Sequence, residues 1–475
     1  MSSPLAVLKL VLSKIPLMIS TAVSHVLGLS STSQKWDLHT AITVNLLREI
    51  LGNSHRSTVT QQQHRSLRDP GVKGNLWVSR VSLPGPPEDA LREALSQAIR
   101  ALGTGGEEYS LPALETVTAE WTGYRGNVPA SEPEPSISEA DKYRHLMDET
   151  TSNTTIIYFH GGSYYLMDPC STRGLVSDYA RLTGGRVLNV RYRLAPQNPF
   201  PAALLDALVV YLSLLYPPEG SLHDPIPASD IVIGGDSSGG NLAAVLLQLL
   251  LQLHRSASGG GLPTVMFHGR PVEVPLPAGF ALSSASIDLT GSLRSSELHA
   301  LYDYLPGPPV VPPNPPPCDV WPTDPPRAHF FCEDSAMCHP LVSPLAASSW
   351  EGSPPIFVIC GEERVADENK VLAQTAAAQG VPIVWEQYEA MPHCFSQLFA
   401  GTAVADKSSD NWAAFVKKVT EDPAGVATKG SYIVAKSLDT RPVDVSKLLH
   451  VRPGEVLEGM RQARDEFVRK AASGC

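Results

Sequence analysis

Residues 231–242 read IVIGGDSSGGNL. A β-branched run, Ile231-Val232-Ile233, meets glycine, passes Asp236-Ser237-Ser238-Gly239, and gives way to an apolar helix pattern from Asn241. β-Branched residues suit a pleated, buried strand. Glycines allow backbone and neighbouring elements to approach where a side chain would clash. Strand, tight turn and helix, with a serine at the apex, restrict the chain to folds in which a buried strand feeds straight into a helix. This is also the nucleophile-elbow arrangement, which presents a hydroxyl at the end of a sheet. A serine is a weak nucleophile until a base sits beside it. A five-residue G-x-S-x-G match alone is weak, and a glycine-rich turn closing a strand reads the same way.

Three other segments add weight. Upstream, the strand-like run Thr155–Phe159 ends in His160-Gly161-Gly162-Ser163-Tyr164. A glycine-rich turn after a strand presents unpaired N–H groups, which stabilise an oxyanion when aimed at a carbonyl. The candidate donors are Gly161, Gly162 or Ser163, together with Ser238; the pattern leaves open which of the first three point inward. Downstream, Ile356–Cys360 is strand-like and runs into Gly361-Glu362-Glu363-Arg364-Val365-Ala366-Asp367-Glu368. A carboxylate at such a strand end faces the crevice where open α/β sheets bind ligands. Glu363, nearest the strand end, is the candidate to orient a histidine. Asp367 and Glu368 read instead as a solvated acidic helix start, where carboxylates are favoured. Further on, Pro382–Tyr388 is followed by Met391-Pro392-His393-Cys394-Phe395. A histidine in this loop completes the order Ser237, Glu363, His393, the serine–acid–histidine order of α/β-hydrolases.

With these residues in view the chain resembles the hormone-sensitive-lipase-like carboxylesterases, the α/β-hydrolase fold-3 group. The HGG stretch of that family is similar to His160–Gly162, and its GDS(A/S)GG elbow to Gly235–Gly240. Its YRLAPE-x-P-F-P-A-A-x-x-D segment is matched by Tyr192–Asp206, and its SPL by Ser343-Pro344-Leu345. The likeness covers roughly residues 115–420 and looks strongest to fungal members. Two positions depart from the pattern: Ser163 replaces the third glycine of HGGG, and Glu363 stands where Asp is usual. The resemblance implies an α/β-hydrolase fold with a mostly parallel central sheet, helices on both faces and a helical cap. It implies Ser237 as nucleophile, His393 as base, Glu363 as orienting acid, and no metal or organic cofactor.

The rest of the chain fits one large α/β unit. Strand patterns at 186–190 and 280–283 alternate with helix patterns at 202–215, 243–254, 369–378 and 411–419. Alternating β and α implies a parallel sheet covered on both sides. Residues 1–110 read as mainly helical, with loops at 61–74 and 84–87, and form the expected cap. The catalytic unit is expected over 111–425, with an insert at 284–343 whose proline-rich run, PGPPVVPPNPPP, suggests a stiff excursion. Residues 426–475 read as a tail with one helix at 454–471.

Length and a 43% hydrophobic content allow a large core. A net charge of −11 with 18% charged residues provides no basic footprint for nucleic acid. The seven cysteines are irregularly spaced, which suits free thiols in a reducing compartment better than a disulfide scaffold. The apolar N-terminus, interrupted by Lys9, Lys14 and Pro16, reads as an amphipathic helix that either caps the site or lies on a membrane surface. The expected location is intracellular, in the cytoplasm or on the endoplasmic-reticulum surface. The expected partner is a small-molecule ester: an acetylated sterol or terpenoid, an acylglycerol or a fungal secondary metabolite. The alternatives are an acyltransferase or cyclising enzyme on the same triad, and a non-catalytic ligand receptor, against which the presence of His393 argues. Oligomeric state is not legible in the pattern.

Overall fold

The computed structural model describes residues 4–53, 56–257, 260–307 and 315–473. The chain opens with helices α1 (Pro4–Val26), α2 (Leu38–Gly52) and α3 (Val59–Ser66), then β1 (Leu76–Leu83), α4 (Ala90–Leu102), β2 (Val117–Tyr124) and α5 (Glu139–Asp148). The centre holds β3 (Thr155–Phe159), α6 (Arg173–Thr183), β4 (Arg186–Arg191), α7 (Ala202–Leu215), β5 (Ile231–Asp236), α8 (Ser238–Ser256), the hairpin β6 (Thr264–Phe267) and β7 (Arg270–Glu273), β8 (Gly279–Ser283) and the short α9 (Ser295–Leu298). It closes with β9 (Ile356–Gly361), α10 (Ala366–Ala378), β10 (Ile383–Tyr388), the short α11 (Phe395–Leu398), α12 (Ala403–Glu421), β11 (Lys429–Ile433), β12 (Thr440–Val443) and α13 (Pro453–Ser473).

Ten strands form one sheet in the order β1-β2-β4-β3-β5-β8-β9-β10-β11-β12. The strands from β4 to β11 run parallel, while β2 joins β1 and β4 antiparallel and β12 closes the far edge antiparallel. Every residue of β3, β5, β8, β9 and β10 is buried. That is why these segments read as continuous apolar runs rather than alternating ones: helices cover both faces. On one face α7, α8 and α10 share a core with the sheet, and α8 is buried all round from Ser238 to Leu251. On the other face α6 and α12 meet through Tyr179 and Trp412, stacked 3.9 Å apart. The parallel strands β5, β8, β9 and β10 end at one rim, and the loops that follow them lie side by side there.

Several segments differ from the sequence reading. Residues 1–110 are not all helical: β1 pairs with β2 over eight residues, from Leu76↔Tyr124 to Leu83↔Val117. Trp77, Val78 and Ser79 are all buried, so β1 lacks the alternation that would mark a half-exposed strand. Helix α3 occupies part of the expected 61–74 loop. Its sequence, VTQQQHRS, is polar, and the Thr58–Gln61 capping box closes its N-terminus. The last 50 residues contain β11 and β12 as well as the helix, because β10 offers an open edge to pair with. Asp367 and Glu368 are buried rather than solvated. The loop after β8 folds over them: Ser295 N–H donates to Asp367 and Ile287 N–H to Glu368 Oε1. Of the proline-rich run, residues 308–314 lie outside the described residues. Cys332 and Cys338 are free thiols.

Candidate active site

Ser237 sits between β5 and α8 with φ 53° and ψ −120°. A side-chain-bearing residue rarely adopts this conformation, and it persists only where the surroundings over-determine it. Here they do. Ser237 N–H donates to Ser283 O, and Ser237 O accepts from the N–H groups of Asn241 and Ser286, each at 3.0 Å. Close approach explains the glycines: a Cβ on Gly239 would lie 1.9 Å from Phe159 O, and one on Gly161 would lie 3.1 Å from Ser237 Cβ. The turn after β3 is therefore pressed against the elbow.

The loops after β9 and β10 bring Glu363 and His393 to the same place. His393 Nε2 is 2.8 Å from Ser237 Oγ, and His393 Nδ1 is 3.0 Å from Glu363 Oε2. With the proton on Nδ1, the ring donates to the carboxylate and accepts the serine hydroxyl. Glu363 is fully enclosed, His393 nearly so, and Ser237 is only 9% exposed. Burial disfavours a charged imidazole, but the neighbouring Cys394 and the Glu363 carboxylate together more than offset it and hold His393 above the ordinary histidine range.

The turn 160–164 lies against the elbow, and its donors are distinguishable. Gly161 N–H donates to Asp236 Oδ1 at 3.2 Å, so it is not free to meet a ligand. Among the described residues, the N–H groups of Gly162, Ser163 and Ser238 donate to no protein atom. Ser163 has φ 53°, a backbone suited to the glycine it replaces, and its side chain points to solvent. It does not crowd the turn. His160 is structural: burial lowers it to about 4, its Nδ1 lies 2.7 Å from Gly161 O, and its ring stacks on Tyr192 at 4.5 Å. Among the described residues, no group of three or more His, Cys, Asp or Glu is placed to hold a metal ion.

Comparison with known proteins identifies the fold. A family model described as "alpha/beta hydrolase fold" matches residues 156–397, half of the chain, including all three residues of the Ser237–His393–Glu363 relay. The chain belongs to this family. Within it, the hydrolase is similar to an acetyl-hydrolase of Streptomyces hygroscopicus, 31% identical over 50% of this chain and 67% of the relative. It is also similar to an esterase of Acinetobacter venetianus, 27% identical over 58% of this chain and 78% of the relative. A crystal structure of an esterase from the bacterial hormone-sensitive lipase family shares its fold, with a TM-score of 0.52, 20% identity, and coverage of 81% of this chain and 99% of that one.

Three supporting residues of the hydrolase escaped the sequence reading. Asp236, inside the quoted motif, takes Tyr158 OH at 3.0 Å as well as Gly161 N–H, and so ties the 160–164 turn to the elbow. Its position just before the serine was the available signal. Asp303 and Tyr304 carried none, since they come from the irregular insert. Asp303 accepts N–H bonds from Arg364 at 2.7 Å and His393 at 3.4 Å, and Tyr304 meets the His393 ring edge-on at 6.2 Å. Arg193 and the buried Asp206, quoted only as a motif, form a multidentate pair, with Arg193 Nη2 at 2.7 Å from Asp206 Oδ1.

Proposed function

We propose that this protein cleaves a carboxylic ester of a neutral, lipophilic small molecule through an acyl-enzyme on Ser237. The observation that carries the reading is the continuous relay from Ser237 Oγ through His393 to Glu363. His393 Nε2 takes the hydroxyl proton as Ser237 Oγ attacks the ester carbonyl. Glu363 fixes the Nδ1–H tautomer and steadies the imidazolium that forms. Gly162, Ser163 and Ser238 supply free N–H groups for the tetrahedral oxyanion; losing one such donor costs about 10²–10³ in turnover. The leaving alcohol departs with the proton from His393. Water, activated by the same imidazole, then releases the acid and regenerates the serine.

The rim supports a neutral substrate. The turn that carries Gly162 and Ser163 continues into Tyr165, Leu166 and Met167, all apolar and partly exposed. Tyr165 rests against Phe330 at 4.8 Å, and Phe330 meets Trp321 edge-on at 4.5 Å. An apolar rim binds an uncharged ester by burying its hydrocarbon, whereas a charged substrate would lose hydration without a partner. Acetylated sterols or terpenoids, acylglycerols and secondary-metabolite esters belong to this class, and the acetyl-hydrolase relative is in keeping with a short acyl group. The test is labelling with a fluorophosphonate and mass mapping, alongside assays on short p-nitrophenyl esters. The label is expected on Ser237, and Ser237→Ala is expected to stay folded but lose hydrolysis. A label elsewhere, or a Ser237→Ala variant that keeps more than a trace of turnover, would overturn the assignment.

A further inference from the structure

The N-terminal helices carry a surface that the ester-hydrolase reading does not use. On α1, Ile15, Ile19, Val23 and Val26 recur at helical spacing and fall on one side, within about a quarter-turn of each other. All four are exposed: Ile19 by 58%, Val23 by 51% and Val26 by 73%. Leu27 and Leu29 continue the apolar strip at 64% and 75%. Scattered exposed leucines need no explanation, but a continuous strip of this kind marks an interaction site.

Charge says what kind. Residues 1–75 contain eight Lys and Arg against three Asp and Glu, a net of +5 in a chain whose total is −11. Arg56, Arg65, Arg68 and Lys73 are exposed, and among the described residues none of them has an acidic partner. Exposed Leu67 lies between two of these arginines. An apolar helix face and a cationic pole within one N-terminal segment, on an otherwise acidic protein, complement an anionic bilayer. Among the described residues, no helix is long and apolar enough to cross a membrane, so α1 would lie in the plane of the interface.

The same layer touches the site. Just beyond α1, Trp36 Nε1 donates to Ala390 O at 2.6 Å, three residues before His393. Arg48 on α2 binds the carbonyls of Ala300, Leu301 and Asp303, beside the His393 loop. On α3, Gln63 donates to Tyr165 O and Ala195 O, and Ser66 Oγ accepts from Met167 N–H at 3.1 Å. A surface that binds through α1–α3 therefore holds the rim next to itself.

We infer that the α1 strip and the cationic pole of residues 1–75 seat this protein on anionic lipid bilayers, with the ester-binding rim at the lipid boundary. Only the purpose of binding rests on the ester-hydrolase reading; the binding itself does not.

The test is flotation of the full-length protein with vesicles of equal parts phosphatidylcholine and phosphatidylserine, against phosphatidylcholine alone. Wild type is expected to float with the mixed vesicles, less in high salt, and weakly with phosphatidylcholine alone. Ile19→Asp combined with Val23→Asp is expected to lower partition by about tenfold or more, since both side chains lose their apolar burial in lipid. Arg65→Glu combined with Arg68→Glu is expected to remove the preference for phosphatidylserine and decides the matter if the first pair fails to fold. Wild type that stays with the soluble fraction, or variants that float like wild type, would overturn the proposal. So would light scattering that shows the strip closing a homodimer, dissociated by the α1 variant. Partition is read as mass, so loss of fluorophosphonate labelling at Ser237 leaves this result standing.

Discussion

Ser163 holds a left-handed backbone, φ 53°, that glycine adopts without strain. Its side chain is exposed, and only its N–H is assigned a role in the oxyanion site. Ser163→Gly is expected to keep that N–H and to raise stability by up to about 1 kcal/mol, the released strain being partly offset by the greater freedom of glycine in the unfolded chain. Thermal unfolding and kcat on a short ester check both halves. Glu363 gives a prediction in pH. Its carboxylate, with Cys394, raises His393, and the base works only when unprotonated, so activity falls on the acid side as His393 gains its proton. Glu363→Gln removes the negative charge, so the acid limb of kcat/KM is expected to move to lower pH while the plateau drops by about 10²–10⁴. A limb that stays in place, or moves to higher pH, would show that Glu363 does not set the histidine.

Between elements, the segment from β4 to α7 is held by one ion pair. Asp206, on α7, is enclosed and takes four bonds from Arg193, including its backbone N–H at 2.8 Å. Burial pushes the Asp206 carboxyl up, and the arginine opposes it. Removing Arg193 leaves the buried Asp206 carboxylate without compensation, which costs about 3–5 kcal/mol. Arg193→Met is therefore expected to lower the unfolding midpoint well beyond the effect of Asp422→Ala at the exposed Lys418–Asp422 pair, which is expected to leave it unchanged. Equal midpoints for the two variants would remove the pair from any role in stability. The β4–α7 motif was legible as a string of residues, yet its energetic meaning was not. Nothing in the spacing of Arg193 and Asp206 says that the carboxylate is buried and that the arginine meets it there.

Across the whole molecule, the C-terminal residues are part of the body. Val456, Met460 and Phe467 of α13 are buried in the same core as the sheet, α7, α8 and α10. Met460 is fully enclosed, and Met460→Ala is expected to cost about 2–5 kcal/mol. The prediction that separates a tail from a component is the form of the melt. Calorimetry on Met460→Ala is expected to show the main transition moved several degrees down. A new, separate low-temperature transition with the main one unmoved would make α13 an independent appendage.

The elbow, the turn 160–164 and the order Ser237, Glu363, His393 were legible because each rests on local chemistry: a tight turn needs glycine, and a buried strand needs apolar residues on both faces. The parallel sheet was legible from the alternation of β and α. The convergence of the three loops at one rim, the removal of Gly161 from the donor set by Asp236, and the burial of Asp367 and Glu368 were decided by tertiary structure alone. So were the entry of β1, β11 and β12 into the sheet and the contact of Asp303 with the His393 loop. In each case the partner lies far along the chain. Periodicity records which face of a segment avoids water, but not which distant segment covers it.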